Sequence, residues 1–131
     1  MRTTFAPLPL LVLLAALQPV AARPPECNSL QDWSEVPIDV RAALERIVGP
    51  VAAKGQDFNA TDVVRTGLPA NRYLSACERP DLVAVALERG GRGYRVEVFH
   101  YGSGKVIRRW TQLTSKAEAS SVNLLKPSAG R

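Results

Sequence analysis

The sequence predicts an α+β fold, with one N-terminal amphipathic helix packed on a four-stranded antiparallel meander. Three observations carry that prediction. Residues 82–88, 94–101 and 105–113 are β-rich runs separated by the short Gly-rich turns Gly90-Gly91-Arg92-Gly93 and Gly102-Ser103-Gly104, a hairpin signature. Residues 72–78 add a further β-rich run joined on by Arg79-Pro80-Asp81, a turn composition. Upstream, Val40, Leu44, Ile47, Val48 and Val51 recur at helical spacing, so they line one stripe of a helix.

In chain order, residues 1–22 carry Arg2, an apolar run and the small residues Ala21-Ala22, the pattern of a cleaved secretory signal. Pro7, Pro9, Gln18 and Pro19 interrupt the run, which argues against a membrane anchor because a spanning helix needs about 20 apolar residues. The expected product is exported, periplasmic or extracellular, with no stable membrane insertion. Residues 23–113 are then one small domain and residues 114–131 a basic tail, a size at which the core is modest and a covalent staple helps. Cys27 and Cys77 are the two cysteines of the chain, and in an oxidising compartment a disulfide between them is the expected state.

Residues 23–33 read as an extended, Pro-rich arm tied down at Cys27. Asp32 or Ser34 can cap the helix, and Pro37 suits its first turn. Arg41 and Glu45 are spaced to pair on its polar side. Gly49-Pro50 ends or kinks it, with residues 51–54 as a bent continuation. Residues 60–66 read either as a short helix capped by Asn59 or Thr61, or as a strand through Val63-Val64. Asn59-Ala60-Thr61 is a formal glycosylation acceptor, which places this loop on the surface.

Charge divides the chain. Residues 23–81 hold 7 basic and 9 acidic side chains, residues 82–113 hold 6 and 2, and the tail from Thr114 holds 3 and 1. A basic half suits an acidic protein or an anionic envelope polymer, and also serves solubility. Nucleic acid is not the expected partner: Arg89-Gly90-Gly91-Arg92-Gly93 is a single copy inside a hairpin, whereas RGG elements act as repeats in disordered segments. Gly102-Ser103-Gly104-Lys105 lacks the spacing of a phosphate-binding loop and the helix that such a loop opens. His100, the single His, has no ligand-spaced Cys, Asp or Glu beside it, so no metal and no cofactor is expected.

Period-two alternation then assigns faces. If Val83, Val85, Leu87, Val96 and Val98 meet the helix, then Arg95, Phe99, Tyr101, Arg108 and Trp110 form an open face, with Ala84 and Ala86 leaving room beside them. Such aromatic and arginine side chains dominate binding hot spots. Together with Arg92 in the hairpin turn, they point to an exported, non-enzymatic binding or inhibitor protein. The competing arrangement has Val122, Leu124 and Leu125 of the tail folding over that face as a second small core. Two other readings are a small hydrolase using His100 with Glu97 or Glu88, and a structural envelope component associating through the strand 105–113.

A helix followed by such a meander resembles the cystatin-like and PepSY-like architectures, by analogy of fold alone. The Gln-x-Val-x-Gly hairpin of cystatins and the Ser-Gly-x-x-Tyr element of small lysozyme inhibitors are both absent from the sequence.

Overall fold

A computed structural model describes residues 26–91, 93–112 and 122–126. The expectations for the signal segment 1–22, for Arg92 and for most of the tail lie outside these residues. The fold is α+β, one α-helix with a six-stranded sheet.

Strand β1 (Asn28–Leu30) comes first, so the expected arm is partly a strand and the helix is not the N-terminal element. A 3-10 turn follows at Trp33–Glu35, where the Asp32 carboxylate accepts from the Trp33 backbone N–H at 2.7 Å. Helix α1 (Ile38–Val48) has Pro37 at its N-cap position. It stops at Gly49, whose φ of 85° is open to glycine at little cost. Arg41 does not reach for Glu45 here; its Nε donates to the Val36 carbonyl at 3.0 Å. Beyond the Gly49-Pro50 break the chain does not continue as a bent helix. Val51–Ala52 is instead a short strand, β2, parallel to the start of β3 (Asn71–Arg79).

Strands β3, β4 (Leu82–Arg89), β5 (Arg95–Gly102) and β6 (Lys105–Gln112) are consecutive antiparallel neighbours. The expected hairpins are therefore present within a sheet of six strands rather than four. In the β5–β6 turn Ser103 (φ 53°) and Gly104 (φ 78°) both have positive φ, the conformation that matches the right-handed twist of a two-residue hairpin. β1 pairs antiparallel with the second half of β3, and the Cys27–Cys77 disulfide closes beside that pairing.

The sheet is buried on both faces. On the helix side Trp33, Val36, Val40, Leu44, Tyr73, Val83, Val85, Leu87 and Phe99 make the main core. On the outer side Ala86, Val96 and Val98 are fully buried beneath Leu74, Tyr94, Trp110, Val122 and Leu124. The expected parity of β5 is thus reversed. Val85 pairs with Phe99 and Ala86 with Val98, and directly opposite residues project to one face. Phe99 therefore lies under α1 at 0 % exposure, Tyr101 borders the same core, and Val96 and Val98 turn outward.

Residues 60–66 are neither helix nor strand. The Asn59 side chain takes the backbone groups that a regular element would have used, accepting from the Arg65 N–H at 2.8 Å and donating to its carbonyl at 3.1 Å.

Candidate functional site

Of the six residues expected to form one surface, the five that are described, Arg95, Phe99, Tyr101, Arg108 and Trp110, are divided by the sheet. Arg108 and Trp110 lie on the outer face, opposite His100 and Val98 respectively. Their parity is set by an irregularity between His100 and Tyr101, which leaves Ile107 out of the ladder and 54 % exposed. Phe99 and Tyr101 belong to the helix side. Arg95 stands opposite Arg89 at the end of the β4–β5 ladder.

What remains on the outer face is a compact group. The Arg108 guanidinium carbon sits 5.5 Å from the centre of the Trp110 ring, within cation–π range. The His100 ring meets Trp110 edge-on, with centroids 4.8 Å apart at 83°. His100 Nε2 is 2.7 Å from the Leu124 carbonyl oxygen; a carbonyl only accepts, so Nε2 carries the proton in this contact. The tail residues Val122 and Leu124 thereby dock on this face, as the second-core reading expected. Trp110 is half-buried and its indole Nε1 has no acceptor among the described residues.

The carboxylates proposed as partners of His100 are committed elsewhere. Glu97 projects to the opposite face, as neighbours of odd separation on a strand must. It is 4 % exposed, bonded by Arg89 at 2.5 Å and by Arg109 Nε at 2.6 Å, while Arg89 Nε also reaches Asn71 Oδ1 at 3.0 Å. Asn71 in turn donates to the Val48 carbonyl at 2.8 Å, tying this network to the end of α1.

Glu88 shares the outer face with His100 but is four ladder positions away, about 13 Å along a strand. Both of its oxygens accept from Arg72, at 2.5 and 3.1 Å, and one also accepts from the Tyr94 hydroxyl at 2.7 Å. The bond to Glu88 raises the Arg72 guanidinium above its ordinary range despite its partial burial. Burial first, and then the same carboxylate, pushes the Tyr94 phenol well above its usual value. These groups hold the sheet together and leave no carboxylate beside His100 among the described residues. Nor do three or more His, Cys, Asp or Glu gather into a possible metal site there. No described helix is long and apolar enough to cross a membrane.

Two features were not anticipated. A cleft of about 320 Å³ opens between the start of α1 and the β3–β4 and β5–β6 turns, lined by Asp39, Glu78, Arg79, Asp81 and Tyr101 among others. The Tyr101 hydroxyl donates to Asp39 across it at 3.3 Å, and desolvation followed by the Asp39 charge raises that phenol. The other is the loop around Asn59, whose tip exposes Val63 and Val64. The sequence places this loop on the surface through Asn59-Ala60-Thr61, but the only sign of its apolar tip is the Val63-Val64 pair between Asp62 and Arg65.

Comparison with known proteins adds no assignment: no family model, no curated protein and no solved structure matches the chain.

Proposed function

We propose that this chain is an exported, non-enzymatic binding protein that meets a protein or an anionic envelope polymer through Arg108 and Trp110. The observation that carries this reading is the exposed Arg108 guanidinium over the half-buried Trp110 ring, with no ion-pair partner among the described residues. By contrast Arg72, Arg89 and Arg109 are each committed to a buried carboxylate. An arginine stacked on a tryptophan presents a large, stiff and partly dehydrated contact area, and such pairs supply most of the energy of interfaces. Support for export comes from the N-terminal pattern of the sequence and from the Cys27–Cys77 disulfide.

The test uses the disulfide-bonded chain as bait for exported proteins and for anionic wall or envelope polymers. Arg108→Ala and Trp110→Ala are expected to abolish retention while the melting temperature moves by a few degrees. Retention that survives both substitutions overturns the reading. Capture lost at high salt assigns the contact chiefly to Arg108, and capture that persists assigns it to the ring.

A further inference from the structure

The segment 122–126 docks on the outer face of the sheet. Val122 and Leu124 pack on the buried Ala86, Val96 and Val98, and Asn123 between them is exposed. Two apolar side chains spaced two residues apart thus meet the face, the way an extended segment presents them. The Leu124 carbonyl accepts from His100 Nε2 at 2.7 Å. A local turn ends the segment, where Asn123 Oδ1 accepts from the N–H groups of Leu125 and Lys126 at 3.0 and 3.1 Å. None of residues 122–126 belongs to a strand, and among the described residues no backbone–backbone bond ties them to the sheet. Their hold on it is two half-buried side chains and one hydrogen bond.

We infer that this face is a docking site for an extended segment of a partner protein with aliphatic side chains two residues apart, and that Val122 and Leu124 fill it in the free chain. The seated segment displays what the face accepts: two aliphatic side chains over Ala86, Val96 and Val98, and a backbone carbonyl at His100. A polyanion offers neither. The site is continuous with the Arg108–Trp110 pair, because the His100 ring that holds Leu124 also meets Trp110, with centroids 4.8 Å apart. Trp110 Nε1 is buried with no acceptor among the described residues, and an incoming peptide carries backbone carbonyls that suit such a donor. A tethered segment competes at an effective concentration on the order of mM, so a partner must displace it, and it closes the site to weak competitors. The inference rests on the reading of Arg108 and Trp110 for the existence of a partner and adds that partner's chemistry.

The probe is a fluorescein-labelled synthetic peptide of residues 120–128, titrated with the full disulfide-bonded chain and followed by anisotropy. Val122→Asp/Leu124→Asp opens the site, since a carboxylate is not buried unpaired on an apolar face. The opened chain should bind the peptide about tenfold or more tighter than the wild type does. Adding His100→Ala to the opened chain should weaken binding several-fold, through loss of the bond to the carbonyl. The same peptide with Ser121 and Val122 exchanged keeps the composition, loses the Val–Leu spacing, and should bind about tenfold less. If the double variant does not fold, Leu124→Ser, which removes one half-buried side chain, is read in the same way. No binding to the opened chain at about 100 µM, equal binding by wild type and opened chain, or equal binding of the two peptides overturns the inference. Retention of anionic polymers without peptide binding also overturns it and leaves the Arg108 reading standing. Peptide binding together with partner retention that survives Arg108→Ala and Trp110→Ala defeats the Arg108 reading and supports the docking site.

Discussion

Val85 stands directly opposite Phe99 in the ladder between β4 and β5, and this one pairing places Phe99 beneath α1 instead of on a binding face. Both are fully buried. The consequence for stability is direct. Phe99→Ala should destabilise the chain by about 3–5 kcal/mol, the cost of a large cavity in a packed core. Trp110→Ala, at a half-buried position, should cost about 1–2 kcal/mol. Urea titrations of the two variants distinguish them, and the reverse order would place Trp110 in the core.

Glu97 carries a network that was not expected to be buried. Removing a buried carboxylate strands its partners, so Glu97→Ala should cost about 3 kcal/mol. Arg109, whose side chain is 48 % exposed, is worth far less: Arg109→Ala should cost under about 1 kcal/mol, because Arg89 still holds Glu97. Denaturant titration at low and high salt checks both values, with little salt dependence expected for the Glu97 variant.

Gly90 is required by closeness rather than by an unusual backbone angle. A Cβ there overlaps the Asn59 carbonyl, so Gly90→Ala must displace the loop neck and should destabilise by about 3 kcal/mol. Gly91, whose φ is 103° and whose added Cβ would meet no atom within 4 Å, should tolerate Ala at a cost of about 1–2 kcal/mol for the left-handed backbone alone. Thermal melts of the two variants test the contrast.

The Tyr73 phenol is pushed up to about 12, first by burial and then by the charges of Glu35 and Asp32. Its hydroxyl donates to the Leu30 carbonyl at 2.5 Å. An unfolded tyrosine ionises near pH 10, so between about pH 10 and 12 the unfolded chain binds fewer protons than the folded one, and stability must fall as pH rises. Melting temperatures measured from pH 9 to 11.5 should decline above pH 10. The decline should be shallower in Tyr73→Phe, which starts from a lower stability for want of the hydroxyl bond.

Cys27 and Cys77 are 50 residues apart. A bridge closing a loop of that length contributes about 4 kcal/mol in the chain-entropy description. Cys27→Ala/Cys77→Ala should therefore lose most of the stability of so small a domain, with a midpoint in urea shifted down accordingly.

The hairpins, the cysteine pairing and the helix stop at Gly49 were legible because each depends on residues close in sequence or on a simple count. β1 and β2 were not, since strands of three and two residues exist only through pairing with β3. The face of β5 was not legible for a different reason. Val96 and Val98 on one side and Phe99 and Tyr101 on the other are all apolar, so alternation cannot choose between them. Ala84 and Ala86, expected to leave room beside the aromatic and arginine side chains of an open face, are sealed at 0 % exposure. Among the described residues of the expected surface, Arg108 and Trp110 alone stay together on the outer face. The formal acceptor Asn59-Ala60-Thr61 puts its loop on the surface. Its tip is exposed, but Asn59 itself is buried and its amide nitrogen is occupied twice.

By itself the sequence determined the local alternatives: where strands turn, where the helix ends, and which two sulfurs meet. Tertiary structure alone decided which side chains face the helix, which carboxylates are consumed by arginines, and which apolar pair is left outside. Those outcomes depend on register and on contacts between segments far apart in the chain, and a one-residue change in pairing would exchange the two faces of a strand whose composition suits either.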